Sequence, residues 1–155
     1  MLKKDMYEKK AIRLSLYDVD ASVTDVHDGQ FFQLNDAGKW VYADGTRKAY
    51  PTLNRRYAGA GFGTQKERLE GRDDVTRSGK LACLAGNYEI ASDQFDKDAS
   101  FQYGAALVVS TDPAKKGLLT MFDPGNVAHK AHLIVGFVTE IPSAQNDQFL
   151  RFHGA

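Results

Sequence analysis

The feature that most constrains the fold of this chain is the shortness of its apolar runs. In the stretch AIRLSLYDVD, Ile12, Leu14 and Leu16 alternate with Arg13, Ser15 and Tyr17, which is the period-two pattern of a strand with one buried face. Runs of similar length recur to the end of the chain, separated by Gly, Pro, Asn and Asp. About eight to ten such runs, with no sustained helical period, predict an all-β fold, either a small β-barrel or a sandwich.

Turn residues divide these runs. Residues 35–38 (Asn-Asp-Ala-Gly) stand between GQFFQL and KWVYADG, which predicts a hairpin. Residues 86–87 (Gly-Asn) predict a second tight turn, between GKLACLAG and NYEIAS. The run HLIVGFVTEI at residues 132–141 predicts a strand that ends before Pro142, and in which Gly136 allows close packing or a bulge.

Two segments depart from the strand pattern. Residues 1–11 mix lysines with acids and predict an extended N-terminal arm or a short surface helix, so that a single β-rich domain spans residues 12–155. Residues 51–78 are polar, glycine-rich and poor in β-branched side chains, which predicts a long loop. Both segments are candidates for contact with a neighbouring molecule.

The charge balance bears on partners and location. The chain carries 20 basic and 20 acidic side chains, whereas a protein that binds nucleic acid through its phosphates usually has a basic surplus. We therefore expect no binding to nucleic acid. The charged N-terminal decapeptide does not fit a signal peptide, and no run approaches the ~20 apolar residues that cross a bilayer. We expect a soluble protein, made in a cytoplasm, with no membrane partner.

Histidine and acidic clusters do not predict a metal site. His129 and His132 are three positions apart, which on a strand places them on opposite faces, and we interpret them as loop residues that precede a strand. Residues 18–29 resemble a calcium loop but lack its glycine at the sixth position and its glutamate at the twelfth. The acidic run at residues 93–98 is interpreted as a solvated turn. We expect no metal and no cofactor.

Motifs of catalysis are also missing from the sequence. Residues 59–63 (Gly-Ala-Gly-Phe-Gly) lack the spacing of a dinucleotide fingerprint, and neither a phosphate-binding loop nor a G-x-S-x-G elbow occurs. Paired carboxylates for glycoside cleavage are not assignable. Cys83, the single cysteine, stands between apolar neighbours and is interpreted as a buried, inert thiol. We predict no enzymatic activity.

The second half of the chain has a distinctive order of motifs. A Gly-Lys-apolar hairpin at residues 79–83 precedes a DQF turn at residues 92–95, and strands follow at residues 103–109, 117–120 and 134–138. In this order the chain resembles the capsid decoration (cement) proteins of tailed bacteriophages, which are small β-rich virion proteins. The resemblance covers about half of the chain.

The resemblance implies a non-enzymatic virion structural protein that binds the outer surface of an assembled phage capsid and stabilises it. The implied partners are the major capsid protein of the same phage and further copies of the chain, with a homotrimer favoured over a homodimer. The implied location is the capsid surface, after synthesis in the host cytoplasm. Two alternatives stay open: a phage tail-tube or baseplate subunit, and a small β-barrel that binds a ligand such as a carbohydrate or acts as an enzyme.

Aromatic and arginine side chains are the candidates for contact with the shell, because both are enriched at protein interfaces. We expect an exposed set of them in and before the predicted long loop, namely Trp40, Tyr50, Arg55, Arg56, Tyr57 and Phe62. The alternative is that about half of these side chains fill the core.

Overall fold

The strands of this protein are short and pair in antiparallel fashion. The computed structural model describes residues 10–13, 17–52, 80–81 and 83–155. Within these ranges there are twelve strands, three single turns of 3₁₀ helix and no α-helix, which confirms the predicted all-β class. The strands are β1 (Lys10–Arg13), β2 (Tyr17–Asp18), β3 (Phe31–Leu34), β4 (Trp40–Tyr42), β5 (Tyr50–Pro51), β6 (Lys80–Leu81), β7 (Leu84–Asn87), β8 (Glu89–Ser92), β9 (Ala106–Val109), β10 (Leu119–Met121), β11 (Gly136–Glu140) and β12 (Leu150–Gly154). The 3₁₀ turns are Pro113–Lys115, Ala131–Leu133 and Ala144–Asn146.

The larger sheet contains five strands in the order β10-β9-β11-β12-β8. β11 is central because it pairs with β9 and with β12, so that Gly136 lies opposite Leu107 on one side and Gly154 on the other. Along β11, Val138 is buried and Phe137 is exposed. One face of this sheet therefore packs in the core, and the other carries exposed side chains.

The smaller sheet has the order β4-β3-β5, and two further strand pairs join β1 to β7 and β2 to β6. Side chains of the three-stranded and five-stranded sheets share one core: the rings of Phe31 and Phe152 have centroids 6.1 Å apart. The larger sheet ends in two different edge strands, β10 and β8. The arrangement is therefore a sandwich, and the closed barrel that the sequence also allowed is not formed.

The hairpin predicted at residues 35–38 is confirmed. β3 and β4 are antiparallel neighbours on either side of it. The side-chain oxygen of Asn35 accepts a hydrogen bond from the Lys39 N–H at 2.9 Å, and Gly38 has a φ of 72°, a conformation that glycine adopts at little cost. The chain reverses here because Asn35 supplies the hydrogen-bond acceptor and Gly38 the positive φ that the turn needs.

The turn predicted at residues 86–87 is wrong. These residues end β7, where they pair with the first two residues of β1, and β7 does not pair with β8. At Tyr88 the chain passes instead into the five-stranded sheet, where β8 pairs with β12. Gly86 does have a positive φ of 88°, so the glycine marks a local conformation within a strand and not a reversal.

The strand predicted at residues 132–141 begins later than expected. Ala131–Leu133 is a 3₁₀ turn, and β11 starts at Gly136. The predicted close packing at this glycine is confirmed, because a Cβ atom there would lie 2.5 Å from the His153 carbonyl oxygen. A shift of register, which marks a bulge, lies further along β11.

Two apolar clusters form the core, and β3 contributes to both. Phe31 belongs to the cluster that draws on all five strands of the larger sheet. Phe32, the next residue, belongs to a second cluster with Trp40, Leu81 and Cys83. Because successive side chains of a strand point to opposite faces, β3 is covered on both sides.

The predicted arm and long loop lie mostly outside the described residues. Of residues 1–11, only the last two are described, and both lie in β1. Of residues 51–78, only the first two are described, of which Thr52 forms an isolated bridge with Cys83.

We expect Gly136→Ala to destabilise the fold. The added methyl group would meet the His153 carbonyl oxygen at 2.5 Å and the Phe152 ring at 2.9 Å, and overpacking of this kind costs about 1–3 kcal/mol. Urea denaturation measures the loss. Gly125→Ala is the control, because the nearest atom there is a side-chain oxygen of Asp123 at 3.2 Å, and its effect should stay within about 0.5 kcal/mol. Equal losses in the two variants would contradict the close contact in β11.

Candidate interaction surface

His129 stabilises the β10–β11 connection in which it lies. Its Nδ1 accepts a hydrogen bond from the Asp123 N–H at 2.9 Å, and its ring stacks on Phe122 with centroids 6.1 Å apart. His132 is exposed on the 3₁₀ turn that follows. Among the described residues, no group of three or more His, Cys, Asp or Glu side chains could hold a metal ion.

The acidic segment at residues 18–29 makes local contacts. An oxygen of Asp20 accepts a hydrogen bond from the Ser22 N–H at 3.0 Å, and hydrogen bonds from Ser22 lower the pKa of this carboxyl group. Further along, the Asp25 carboxylate lies 3.0 Å from His27 Nε2. The Asp20 carboxylate also accepts a hydrogen bond from Asn35 Nδ2 at 3.3 Å, so these acids serve turns within the segment and link it to the β3–β4 hairpin.

The acidic turn at residues 93–98 is joined to another loop by a lysine. Lys115 Nζ lies 2.8 Å from Asp96 Oδ1 and 3.1 Å from Asp98 Oδ2. Burial opposes ionisation of Asp96, whose side chain is 15% exposed, but hydrogen bonds from Lys115 and from the Asp98 N–H outweigh it and hold the pKa of Asp96 below its ordinary value. The turn interpreted as solvated is therefore fixed in part by an ion pair to the β9–β10 connection.

We expect Lys115→Gln to destabilise the protein at neutral pH and to have little effect in acid. A carboxylate with a lowered folded-state pKa contributes stability above its unfolded-state pKa of about 4, and this contribution is lost as the pH falls through the folded-state value. Thermal midpoints measured from about pH 7 to about pH 2 should therefore converge for wild type and variant.

Lys116→Gln is the matched control for this measurement. Within the described part of the chain, Lys116 makes no ion pair with a carboxylate, so its removal should leave the midpoint unchanged at every pH. A difference in thermal midpoint between wild type and Lys115→Gln that stays constant with pH would contradict the role of the Asp96 ion pair.

Cys83 is buried, as the sequence predicted. Burial raises the pKa of its thiol far above the ordinary value, and a hydrogen bond with Thr52 offsets only part of this shift. Because the thiolate is the reactive form of cysteine, the folded chain holds this sulfur in an unreactive state.

We expect Cys83 to resist alkylation and disulfide exchange in the folded protein and to react at once in concentrated urea. The reason is that the folded state offers neither solvent access nor thiolate at this position. Absorbance after addition of an aromatic disulfide reagent, with and without urea, measures both rates. Full reaction without denaturant on the time scale of mixing would contradict the burial of this thiol.

The expected exposure of Trp40 is wrong. Its side chain is 0% exposed, and the indole N–H donates to the Leu81 carbonyl oxygen at 3.1 Å. Tyr50 is partly buried and meets the Trp40 ring edge-on, with centroids 6.1 Å apart. Trp40 is therefore a core residue, as the alternative interpretation allowed. The other candidate contact residues lie outside the described residues; they are Arg55, Arg56, Tyr57 and Phe62.

The described part of the chain exposes large apolar side chains elsewhere. They are Tyr103 at 67%, Val127 at 86% and Phe137 at 44% exposure. Phe137 lies between the buried residues Gly136 and Val138 on β11, so it points away from the core. The sequence alone does not say which face of this strand is inside, because apolar residues occupy both of its faces.

Phe137 belongs to a row of residues across the outer face of the five-stranded sheet. His153 lies opposite it on β12, and Glu89 lies opposite His153 on β8; both are exposed. Tyr103 precedes Gly104, whose N–H donates to a carbonyl oxygen of β11 at 2.8 Å. We call Phe137, His153 and Glu89, together with Tyr103 in the turn before β9, the aromatic face.

A cleft of about 700 Å³ opens between three loops. Its walls come from residues 44–46, 111–116 and 128–133, which connect β4 to β5, β9 to β10 and β10 to β11. We call it the loop cleft. Sequence reasoning missed it because its walls are far apart along the chain and none of them carries a motif.

Comparison of the chain with protein families, curated proteins and solved structures gives no match. Within the described ranges, no helix is both long enough and apolar enough to cross a membrane. The chain itself presents two candidate contact surfaces, the aromatic face and the loop cleft.

Proposed function

We propose that this chain is a non-enzymatic virion structural protein that binds the outer surface of an assembled phage capsid and stabilises it. The aromatic face carries the proposal: Phe137 is 44% and Tyr103 is 67% exposed. Exposed aromatic side chains on a sheet and in an adjoining turn suit a protein interface, whereas sites for small ligands are concave. The order of motifs in the second half of the chain, which is similar to that of decoration proteins, supports the same function.

The proposed role needs binding energy and a stiff fold, and no chemical step. A protein that binds only the assembled shell stabilises that shell by mass action. The face of the five-stranded sheet opposite Phe137 is packed against the smaller sheet through fully buried rings such as Phe31 and Phe152. This packing holds the backbone beneath the aromatic face in one shape, which lowers the ordering cost of binding.

The proposed partners are the major capsid protein of the same phage and further copies of the chain, as a homotrimer in preference to a homodimer. Closed symmetry is the usual state of soluble homo-oligomers, and a symmetric oligomer contacts several equivalent shell subunits at once, which raises its overall affinity. The proposed location is the capsid surface, after synthesis in the host cytoplasm.

We expect the purified chain to co-sediment with mature capsids of the phage that encodes it at about micromolar concentration. Replacing Tyr103 and Phe137 together by serine should weaken capsid binding at least about tenfold, because aromatic side chains are frequent hot spots. Both side chains are exposed, so the thermal midpoint should stay close to that of the wild type. Val127→Ser removes an exposed apolar side chain outside the aromatic face and should bind capsids as the wild type does.

The outcomes separate the competing functions. Failure of the wild-type chain to bind capsids would refute the decoration role, and rings or tubes formed on self-assembly would identify a tail-tube or baseplate subunit instead. Equal loss of binding in Val127→Ser and in the double variant would refute the aromatic face as the contact surface. Light scattering on a sizing column should give the mass of a trimer, and a dimer or monomer there would refute the homotrimer.

A further inference from the structure

The loop cleft has the dimensions of a binding site. Its volume of about 700 Å³ lies in the range of known ligand pockets, roughly 300–1,000 Å³. Leu133, which is 8% exposed, supplies a buried apolar part of the lining, whereas Lys116, Lys130 and His132 are exposed. The cleft therefore combines an apolar base with cationic and polar walls.

Contacts between the loops hold the cleft open. A Cβ atom at Gly45 would lie 2.7 Å from the Thr111 methyl group, so the first two walls touch directly. At the end of the second wall, the Gly117 N–H donates to the Ala43 carbonyl oxygen at 2.8 Å. The third wall is the β10–β11 connection, which the hydrogen bond from the Asp123 N–H to His129 Nδ1 stabilises. A partner therefore meets a site that is already formed.

The two lysines of the cleft differ from Lys115 and Arg151 in their partners. Lys115 and Arg151 are paired with carboxylates, whereas Lys116 and Lys130 make no ion pair within the described ranges. Lys130 Nζ donates to the Val127 carbonyl oxygen at 2.6 Å, which positions the ammonium group and leaves two of its three N–H donors. Two positive charges without an anionic partner thus border one concave surface, and such a surface attracts anions.

One acid, Asp44, shares the cleft. Its carboxylate accepts a hydrogen bond from the Thr46 N–H at 3.0 Å. Burial opposes its ionisation, but hydrogen bonds from the Thr46 hydroxyl and N–H outweigh burial and hold the pKa of Asp44 below its ordinary value. Asp44 is therefore ionised at neutral pH, where it accepts hydrogen bonds from the backbone N–H groups of a peptide, which the sugar–phosphate chain of a nucleic acid lacks.

We propose that the loop cleft binds an extended acidic peptide segment of a protein partner. Carboxylates of the segment pair with Lys116 and Lys130, its backbone N–H groups donate to Asp44, and its apolar atoms cover Leu133. Two lysines beside an ionised carboxylate release few counterions from a nucleic acid, so the mixed charge of the lining selects a peptide. This proposal does not depend on the capsid as partner.

The probe is a hexaglutamate peptide, titrated at low salt into isotope-labelled protein and followed by amide chemical shifts. We expect shifts confined to the three loops of the cleft, and an affinity that falls severalfold between about 20 and about 200 mM NaCl because exposed ion pairs are screened. The double variant Lys116→Gln/Lys130→Gln should bind about three- to tenfold more weakly, as expected for the loss of two exposed ion pairs.

The double variant Lys39→Gln/Lys48→Gln is the matched control, because it removes the same charge from exposed positions outside the cleft lining and should bind as the wild type does. Equal loss in both double variants, or shifts spread over the whole surface, would overturn the proposal. Equal or tighter binding of inorganic phosphate or a short single-stranded DNA would also overturn it, as would no response to the peptide at millimolar concentration. None of these results depends on capsid binding, so failure here is distinct from failure of the proposed function.

Discussion

The burial of two adjacent phenylalanines on opposite faces of β3 is the interaction on which the rest of the structure depends. Phe31 and Phe32 are both 0% exposed, and each belongs to a different apolar cluster. Replacement of a buried phenylalanine by alanine costs about 3–5 kcal/mol, which is a large fraction of the about 5–15 kcal/mol that stabilises a typical domain. β3 thus joins the five-stranded sheet to the Trp40 cluster.

The backbone of the same strand positions the loops. The Phe31 N–H donates to the Gly117 carbonyl oxygen at 3.0 Å, and its own carbonyl oxygen accepts from the Ala43 N–H at 3.1 Å. A Cβ atom at Gly117 would lie 2.9 Å from the Gln30 side chain, so the β9–β10 connection lies directly against β3. Two walls of the loop cleft are therefore anchored to the centre of the core, and the position of Lys116 follows from this packing.

The two surfaces have different chemistry and different origins. The aromatic face exists because one side of the five-stranded sheet is occupied by the core, which leaves Phe137 and its neighbours on the other side. The loop cleft exists because three connections converge. The aromatic face offers a partner apolar area on a stiff sheet, whereas the loop cleft offers the charges of Lys116, Lys130 and Asp44 between braced loops.

The sequence alone determined features that depend on residues close together in the chain. These are the all-β class, the hairpin at residues 35–38, the burial of Cys83 and the close packing at Gly136. Each follows from residue types within a few positions, namely alternation, turn residues, apolar neighbours or a glycine within a strand. Gly86 shows the limit of such local signals. A glycine with positive φ can belong to a chain reversal or to the interior of a strand. Only the strand with which β7 pairs shows which of the two is present.

Only the tertiary structure decided the strand order, the burial of Trp40, the exposure of Phe137, the lysine bridge to the acidic turn and the loop cleft. The Trp40 indole bonds to Leu81, 41 positions away, and Lys115 bonds to Asp96, 19 positions away. No local pattern encodes these partners, because burial and charge pairing depend on which segments meet in space. Which segments meet is selected by the free energy of the whole core.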